Sequence, residues 1–403
     1  MRQTWAVFLD AYRELNAKKL FWITMAISAL VVAAFAVVSL TPNGMKVLVW
    51  EFDMPVFNSR LLSNASFYKL MFQSLGIEFW LTWIATIIAL IATCSMIPDF
   101  VAGGSIELTL SKPIGRVRLF LTKYAAGLLF TLMQVLVFSS AVFLLIGIRG
   151  GEWQPKVFLA VPIVTLAYSY LFSVCALVGL LTRSAIFSLI ATLLVWLLVF
   201  AVDVVESGVM LSLRTQSEVQ VERARAAIER HENPAAAEEA APGAEKKPEG
   251  LLGRAASMFK PKPPTVSPAK LKYDLAKAEE ALEKWQTWHR VAFAIKTVLP
   301  KTGETTGLLA RSILPESELS TWRADQMKRA EENQQKFRAT RAERRGQNAE
   351  EIDDEPSFAD PRVAVEMEKR INERSVMWVI GTSLAFEGVL LGIACAVFRR
   401  RDF

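Results

Sequence analysis

Histidine is scarce in this chain. Only His231 and His289 occur, both in polar sequence, which leaves too little for a histidine-based metal centre. Cysteine is nearly as rare: Cys94, Cys175 and Cys395 all lie inside apolar runs. Thiols in such surroundings read as buried and inert, with no disulfide or metal role. No lysine follows a glycine anywhere, so the G-x-x-x-x-G-K-[ST] phosphate cradle of an ATPase is missing. Cys-His and Ser-His-Asp constellations are excluded too, because the cysteines sit in apolar sequence and the histidines do not. The chain reads as no enzyme, with no cofactor and no metal of its own.

Apolar sequence is what it has in abundance. Hydrophobic residues make up 52% of 403 positions, and they come in blocks, which points to the membrane rather than to a soluble core. The net charge of +6 could signal nucleic acid. In the long polar stretch, however, acidic residues alternate with the basic ones and aromatics are few, so a solvated surface is the better reading and no nucleic acid is expected. In a membrane protein a basic excess reflects cytoplasmic flanks and contact with anionic lipid.

Six spans can be read in order: 20–40, 79–97, 124–148, 157–181, 184–205 and 376–397. The first is about 30 Å long as a helix, enough to cross the hydrocarbon, and too long to be a cleaved signal. Residues 1–19 precede it with Trp5, Phe8, Leu9 and Tyr12 on one helical face, the pattern of an amphipathic helix lying on the membrane. Residues 41–78 read as an outer loop. Trp80 and Trp83 follow as interface anchors at the outer end of the second span. The sequon Asn64-Ala65-Ser66 matches by pattern only.

A very long polar loop, 206–375, separates spans five and six. Within it, 215–230 is a charged helix candidate, 231–268 is a Pro-, Ala- and Glu-rich disordered insert, and 318–345 is a further charged helix. Between them, 270–298 carries Leu271, Leu275, Ala278, Leu282, Trp285, His289 and Ala292 at alternating steps of four and three. That seam suits a coiled-coil hairpin with the preceding helix; independent solvated helices are the other reading. Leu299-Pro300-Lys301-Thr302-Gly303 matches a sortase signal, but a long charged stretch separates it from the last span, so it reads as a helix break.

Glu387 is the one acidic residue deep in a span. Such residues are costly and face the bundle interior. It is either a substrate-path or gating residue or an acid hydrogen-bonded to a neighbour such as Gln134, Tyr168 or Ser169.

The best-marked polar connection lies between spans two and three. Residues 100–123 read FVAGGSIELTLSKPIGRVRLFLTK: a glycine pair, a short amphipathic piece, Ser-Lys-Pro, then Arg116, Arg118 and Lys123. Pro113 ends a short helix, and the basic residues favour the cytoplasmic side. This segment resembles the coupling region of type-2 ABC transporter permeases, roughly E-x-x-x-G-T-L-E-x-L-L-S-x-P-x-x-R followed by K. Gly104, Ser105, Ile106, Glu107, Leu110, Ser111, Pro113, Arg116 and Lys123 fall on that pattern, with Asp99 where the family has an acidic cluster. The last residues, Phe398-Arg399-Arg400-Arg401-Asp402-Phe403, resemble the F-x-R-R-D ending of many such permeases.

The spans and loops read above make an all-α polytopic membrane protein: an interfacial helix (1–19), five spans (20–205) with a coupling segment (99–121), an extracytoplasmic helical loop (206–375), and a sixth span with a basic cytoplasmic tail (376–403). The resemblance covers the membrane part and not the long polar loop. It implies the permease subunit of an ABC transporter, by family habit an exporter, in the cell membrane with both termini cytoplasmic. Its expected partners are a cytoplasmic ABC ATPase subunit, a second copy or a paralogous permease, and membrane lipid. Gly104, Glu107, Ser111, Lys112, Pro113, Arg116 and Lys123 would couple to the ATPase. The rival reading is a non-transporting membrane scaffold whose long loop binds an envelope partner.

Overall fold

The computed structural model describes residues 13, 19–53, 59–102, 115–232, 267–313 and 361–400, with scattered residues between 324 and 336. The segments expected to form an N-terminal helix and a disordered insert, most of 318–345, residues 103–114 of the expected coupling segment and the last three residues lie outside the described set. Among the described residues, six helices are long and apolar enough to cross a membrane, which makes this a multi-pass membrane protein. By contact the chain divides into two units, one within 1–204, 294–336 and 372–403, the other within 205–293 and 337–371.

The first unit holds the spans. Helix α1 (Lys19–Val37) carries a charge only at its first residue and runs straight into a small sheet. Strands β1 (Val38–Thr41), β2 (Gly44–Val47) and β3 (Trp50–Asp53) form an antiparallel meander, with Val38 opposite Val47 and Val47 opposite Trp50. This corrects the reading of 41–78 as loop and adds a small sheet to an otherwise helical membrane protein. The reason is legible afterwards: Val38, Leu40, Met45, Val47, Trp50 and Phe52 alternate with Ser39, Thr41, Lys46, Glu51 and Asp53, the period of two that a strand demands. Pro42 and Asn43 make the first turn.

Helix α2 (Asn64–Val101) also begins well before residue 79. Ser63 caps it, its hydroxyl accepting from the Ser66 amide at 3.0 Å. Its middle, Phe72–Ala85, is π-helical. There Thr82 and Thr86 donate to the carbonyls five residues back, which suits the wider turn. Packing turns Trp80 inward, so it is not an interface anchor, while Trp83 stays half-buried. Trp80 is buried and donates its indole N–H to Ser28 of α1 at 3.2 Å, and Trp83 stacks on Trp196, ring centres 4.9 Å apart.

Helix α3 (Arg116–Gly150) ends at Gly151, whose φ of 74° is the left-handed conformation that stops a helix. Helix α4 (Pro155–Thr182) starts on a proline, favourable in a first turn where no amide donor is needed. Helix α5 (Ala185–Asp203) is capped by Ser184. Helix α8 (Thr302–Ile313) is short and packs on α4 and on the π-helical stretch of α2. Helix α10 (Val376–Arg400) is the last span and packs on α3 and α4.

Two apolar clusters fill this bundle. Near the sheet, Phe35, Phe67, Phe72, Ile77, Phe138, Val142, Val164 and Leu309 pack together. Toward the other end, Phe21, Ile97, Phe100, Phe120, Phe130, Phe172, Leu180 and Phe398 do so. Gly127 lets α3 approach α4, since a Cβ there would overlap the Phe172 ring.

The second unit holds α6 (Leu211–Glu232), most of α7 (Pro268–Val298) and nearly all of α9 (Pro361–Asn372). Arg214 meets His289, and Arg225 meets Glu279 at 2.8 Å, so α6 and α7 run antiparallel. None of the seam residues from Leu271 to Ala292 is exposed, while Lys272, Lys277, Glu283 and Lys284 between them are. His289 lies between Glu206, 3.0 Å from Nε2, and Arg214, 3.3 Å from Nδ1. Arginine only donates, so Nδ1 accepts and Nε2–H donates to the carboxylate. Pro300 separates α7 from α8; Gly303 is helical and sits in the first turn of α8.

Candidate functional site

One end of the bundle gathers the described residues that flank 103–114. Helix α2 arrives with Phe100, α3 departs with Arg116, Phe120 and Lys123, and α10 finishes with Phe398 and Arg399. Phe398 packs against both Phe100 and Phe120, ring centres 6.4 and 5.6 Å away. The Lys123 ammonium lies 5.3 Å from the Phe100 ring centre. Arg116 reaches the Arg399 carbonyl at 3.4 Å. Of the expected coupling residues, Arg116 is thus held against the end of the last span and Lys123 against the end of α2; Gly104, Glu107, Ser111, Lys112 and Pro113 lie outside the described residues.

Glu387 is buried in the bundle. The Tyr124 hydroxyl of α3 donates to Oε1 at 2.8 Å and the Ser169 hydroxyl of α4 donates to Oε2 at 2.9 Å. Both carboxylate oxygens therefore have a donor, the condition under which a buried acid is tolerable. Of the three neighbours expected from sequence, Ser169 is one. Tyr168 pairs instead with Thr93, oxygen to oxygen 2.7 Å. The Gln134 amide is buried with neither polar atom hydrogen-bonded among the described residues. Tyr124 was not foreseen, because nothing in a sequence says which face of α3 meets α10.

The opposite end of the first unit contains a cavity of about 210 Å³. Trp83, Trp196, Val199 and Phe200 form its apolar wall, and Glu78, Asp203, Lys296, Lys301, Thr302 and Thr306 its polar side. Lys296 is buried and bridges Asp203 and Glu304, the latter at 2.7 Å. Glu304 pairs in turn with Arg374. Lys301 is equally buried, but its ammonium is met by neutral groups: the Thr297 and Leu299 carbonyls at 3.2 Å each, the Thr382 hydroxyl at 2.7 Å, and the Trp378 ring at 4.4 Å. Burial pushes this lysine down to about 8; Glu304 opposes the shift, and Lys296 and Arg374 add to it. Sequence reading passed over this cluster because its charges come from four separate segments. The available signal was Lys296 and Lys301 standing in apolar surroundings just before and after the helix break at Pro300.

Compared with protein-family models, with curated proteins and with solved structures, the chain finds no match.

Proposed function

We propose that this chain is the permease subunit of an ABC transporter, by family habit an exporter, driven by a separate ATPase subunit. The observation that carries the reading is the convergence of Phe100, Arg116, Lys123 and Arg399 at one end of a six-helix membrane bundle. They hold both ends of a segment whose sequence, Gly104 to Lys123, follows the coupling pattern. A segment anchored at both flanks and against the last span can pass on a push from a docked subunit. The lack of a phosphate-binding motif fits a division of labour in which the partner hydrolyses ATP.

In this reading the basic end of the bundle is cytoplasmic, since Arg116, Arg118, Lys123, Arg183, Arg399 and Arg400 all flank spans in short connections or at a terminus. Both termini are then inside and the 206–375 loop outside. The loop's own lysines and arginines do not oppose this, because long loops cross largely regardless of charge. Glu387, held between three helices, is in this reading a transport-path or gating residue.

The test is the full complex. Glu107→Lys and the pair Ser111→Trp, Lys112→Glu should abolish co-purification or ATPase stimulation while leaving membrane insertion intact. Unchanged association and activity would discard the coupling assignment. Sidedness is read separately by Ala237→Cys in a cysteine-free chain: an impermeant thiol reagent should label it from outside intact inner membranes. Labelling only after those membranes are broken would reverse the topology.

A further inference from the structure

We propose that the β2–β3 turn and strand β3 form a membrane anchor, seated in the lipid headgroup layer beside α1. Three observations place it there. First, the sheet has two faces. On the apolar one, Val38, Leu40 and Met45 pack on the bundle core, and the same face continues onto β3 as Trp50 and Phe52. There no described residue lies beneath it to bury it: Trp50 is 71% and Phe52 48% exposed. The polar face carries the Lys46–Glu51 pair and is turned the other way.

Second, the turn lies at the level of the end of a spanning helix. The Leu48 amide donates to the carbonyl of Val37, the last residue of α1, at 3.3 Å. Strand pairing puts Trp50 across from Val47, and Val47 across from Val38. The other turn, at Pro42 and Asn43, is a strand length further away, about 10 Å. Exposed Trp22, Ile23 and Leu30 make α1 itself a lipid-facing helix, so the apolar patch continues a surface already in lipid.

Third, the turn carries a side chain its backbone disfavours. Leu48 has a φ of 55°, the left-handed conformation for which glycine is the ordinary choice at the start of a two-residue hairpin turn. It is nevertheless leucine, 67% exposed, followed by Val49 at 82%. Folding gains nothing from apolar groups standing in water; insertion in an interface does. Tryptophan beside them suits the headgroup level. The open edge of β3 is tolerable there, since water still reaches that layer.

The experiment uses the full chain in phosphatidylcholine–phosphatidylglycerol nanodiscs. With Cys94, Cys175 and Cys395 replaced by alanine, Val49→Cys or Asn43→Cys is labelled with an environment-sensitive NBD probe. The Val49 probe should be at least about threefold less quenched by aqueous iodide than the Asn43 probe. It should also be quenched by lipids bearing a nitroxide near the headgroup more than by lipids bearing one deep in the chain. Equal iodide quenching at both positions overturns the anchor. Protection from iodide without lipid quenching also overturns it, and assigns the patch to a second copy of the chain. If the cysteine-free chain does not fold, the same labels are placed in the natural chain and the signal of the unsubstituted protein is subtracted.

Discussion

Tyr124 on α3 and Glu387 on α10 are 263 residues apart in the chain and 2.8 Å apart in the bundle, hydroxyl to carboxylate. With Ser169 they tie three membrane helices to one buried acid. Tyr124→Phe removes one donor and should lower stability by about 1 kcal/mol, the usual size for a hydrogen bond between helices in lipid. Glu387→Leu leaves each hydroxyl its other acceptor, the Ser169 carbonyl at 2.9 Å for Tyr124 and the Leu166 carbonyl at 2.8 Å for Ser169, so it should cost no more than about 1 kcal/mol. Glu387→Gln keeps an acceptor and should fold normally. If Glu387 lines a transport path or gate, that same variant alters partner-stimulated ATPase activity; normal activity in both Gln and Ala variants would confine it to a structural role.

Lys301 should make stability depend on pH in an unusual window. Its folded-state value, about 8, lies below the ordinary lysine value of about 10.4. Between those two values the unfolded chain binds more protons than the folded one, so the contribution of this site to stability rises with pH. Below about 8 both states are protonated and the cost of burying the charge is constant. Unfolding curves of the natural chain and Lys301→Met, taken at pH 7, 9 and 10, should show the natural chain gaining on the variant as pH rises. A constant difference would show that the lysine is not perturbed.

Gly127 should be intolerant of any side chain. A Cβ there would overlap the Phe172 ring, which is itself fully buried and stacked against Tyr124 and Tyr168. Gly127→Ala should cost about 1–3 kcal/mol by overpacking. Gly388 and Gly392 have open space where a Cβ would go, so alanine at either should be neutral in thermal unfolding. Equal effects at all three positions would mean that α3 and α4 are not packed as closely as described.

The α6–α7 pair should depend on its seam. Leu282→Glu puts a charge on the protected side of α7 and should speed proteolytic cleavage within 205–293 about fivefold or more in the full chain, an effect of at least about 1 kcal/mol. Lys277→Glu, on the exposed side, should leave the cleavage rate unchanged. Similar cleavage of both variants would leave the helices unpaired.

The sequence by itself determined the six spans, their order and the α7 seam, because uninterrupted apolar length and a repeat of four and three are one-dimensional properties. It also carried the placement of Arg116 and Lys123 in the first turns of a span. The sheet was legible as well, in the alternation from Val38 to Asp53, but the expectation of an outer loop passed over it. Tertiary structure alone decided what meets what. In a span where nearly every residue is apolar, the sequence does not mark which face turns inward, so nothing in it could pair Tyr124 with Glu387 or send Tyr168 to Thr93. Trp80 shows the same limit: a tryptophan near a span end reads as an interface anchor until packing turns it inward to Ser28. The Asp203–Lys296–Glu304–Arg374 chain is further still from sequence reading. Charges from distant segments find one another only once the helices that carry them have packed.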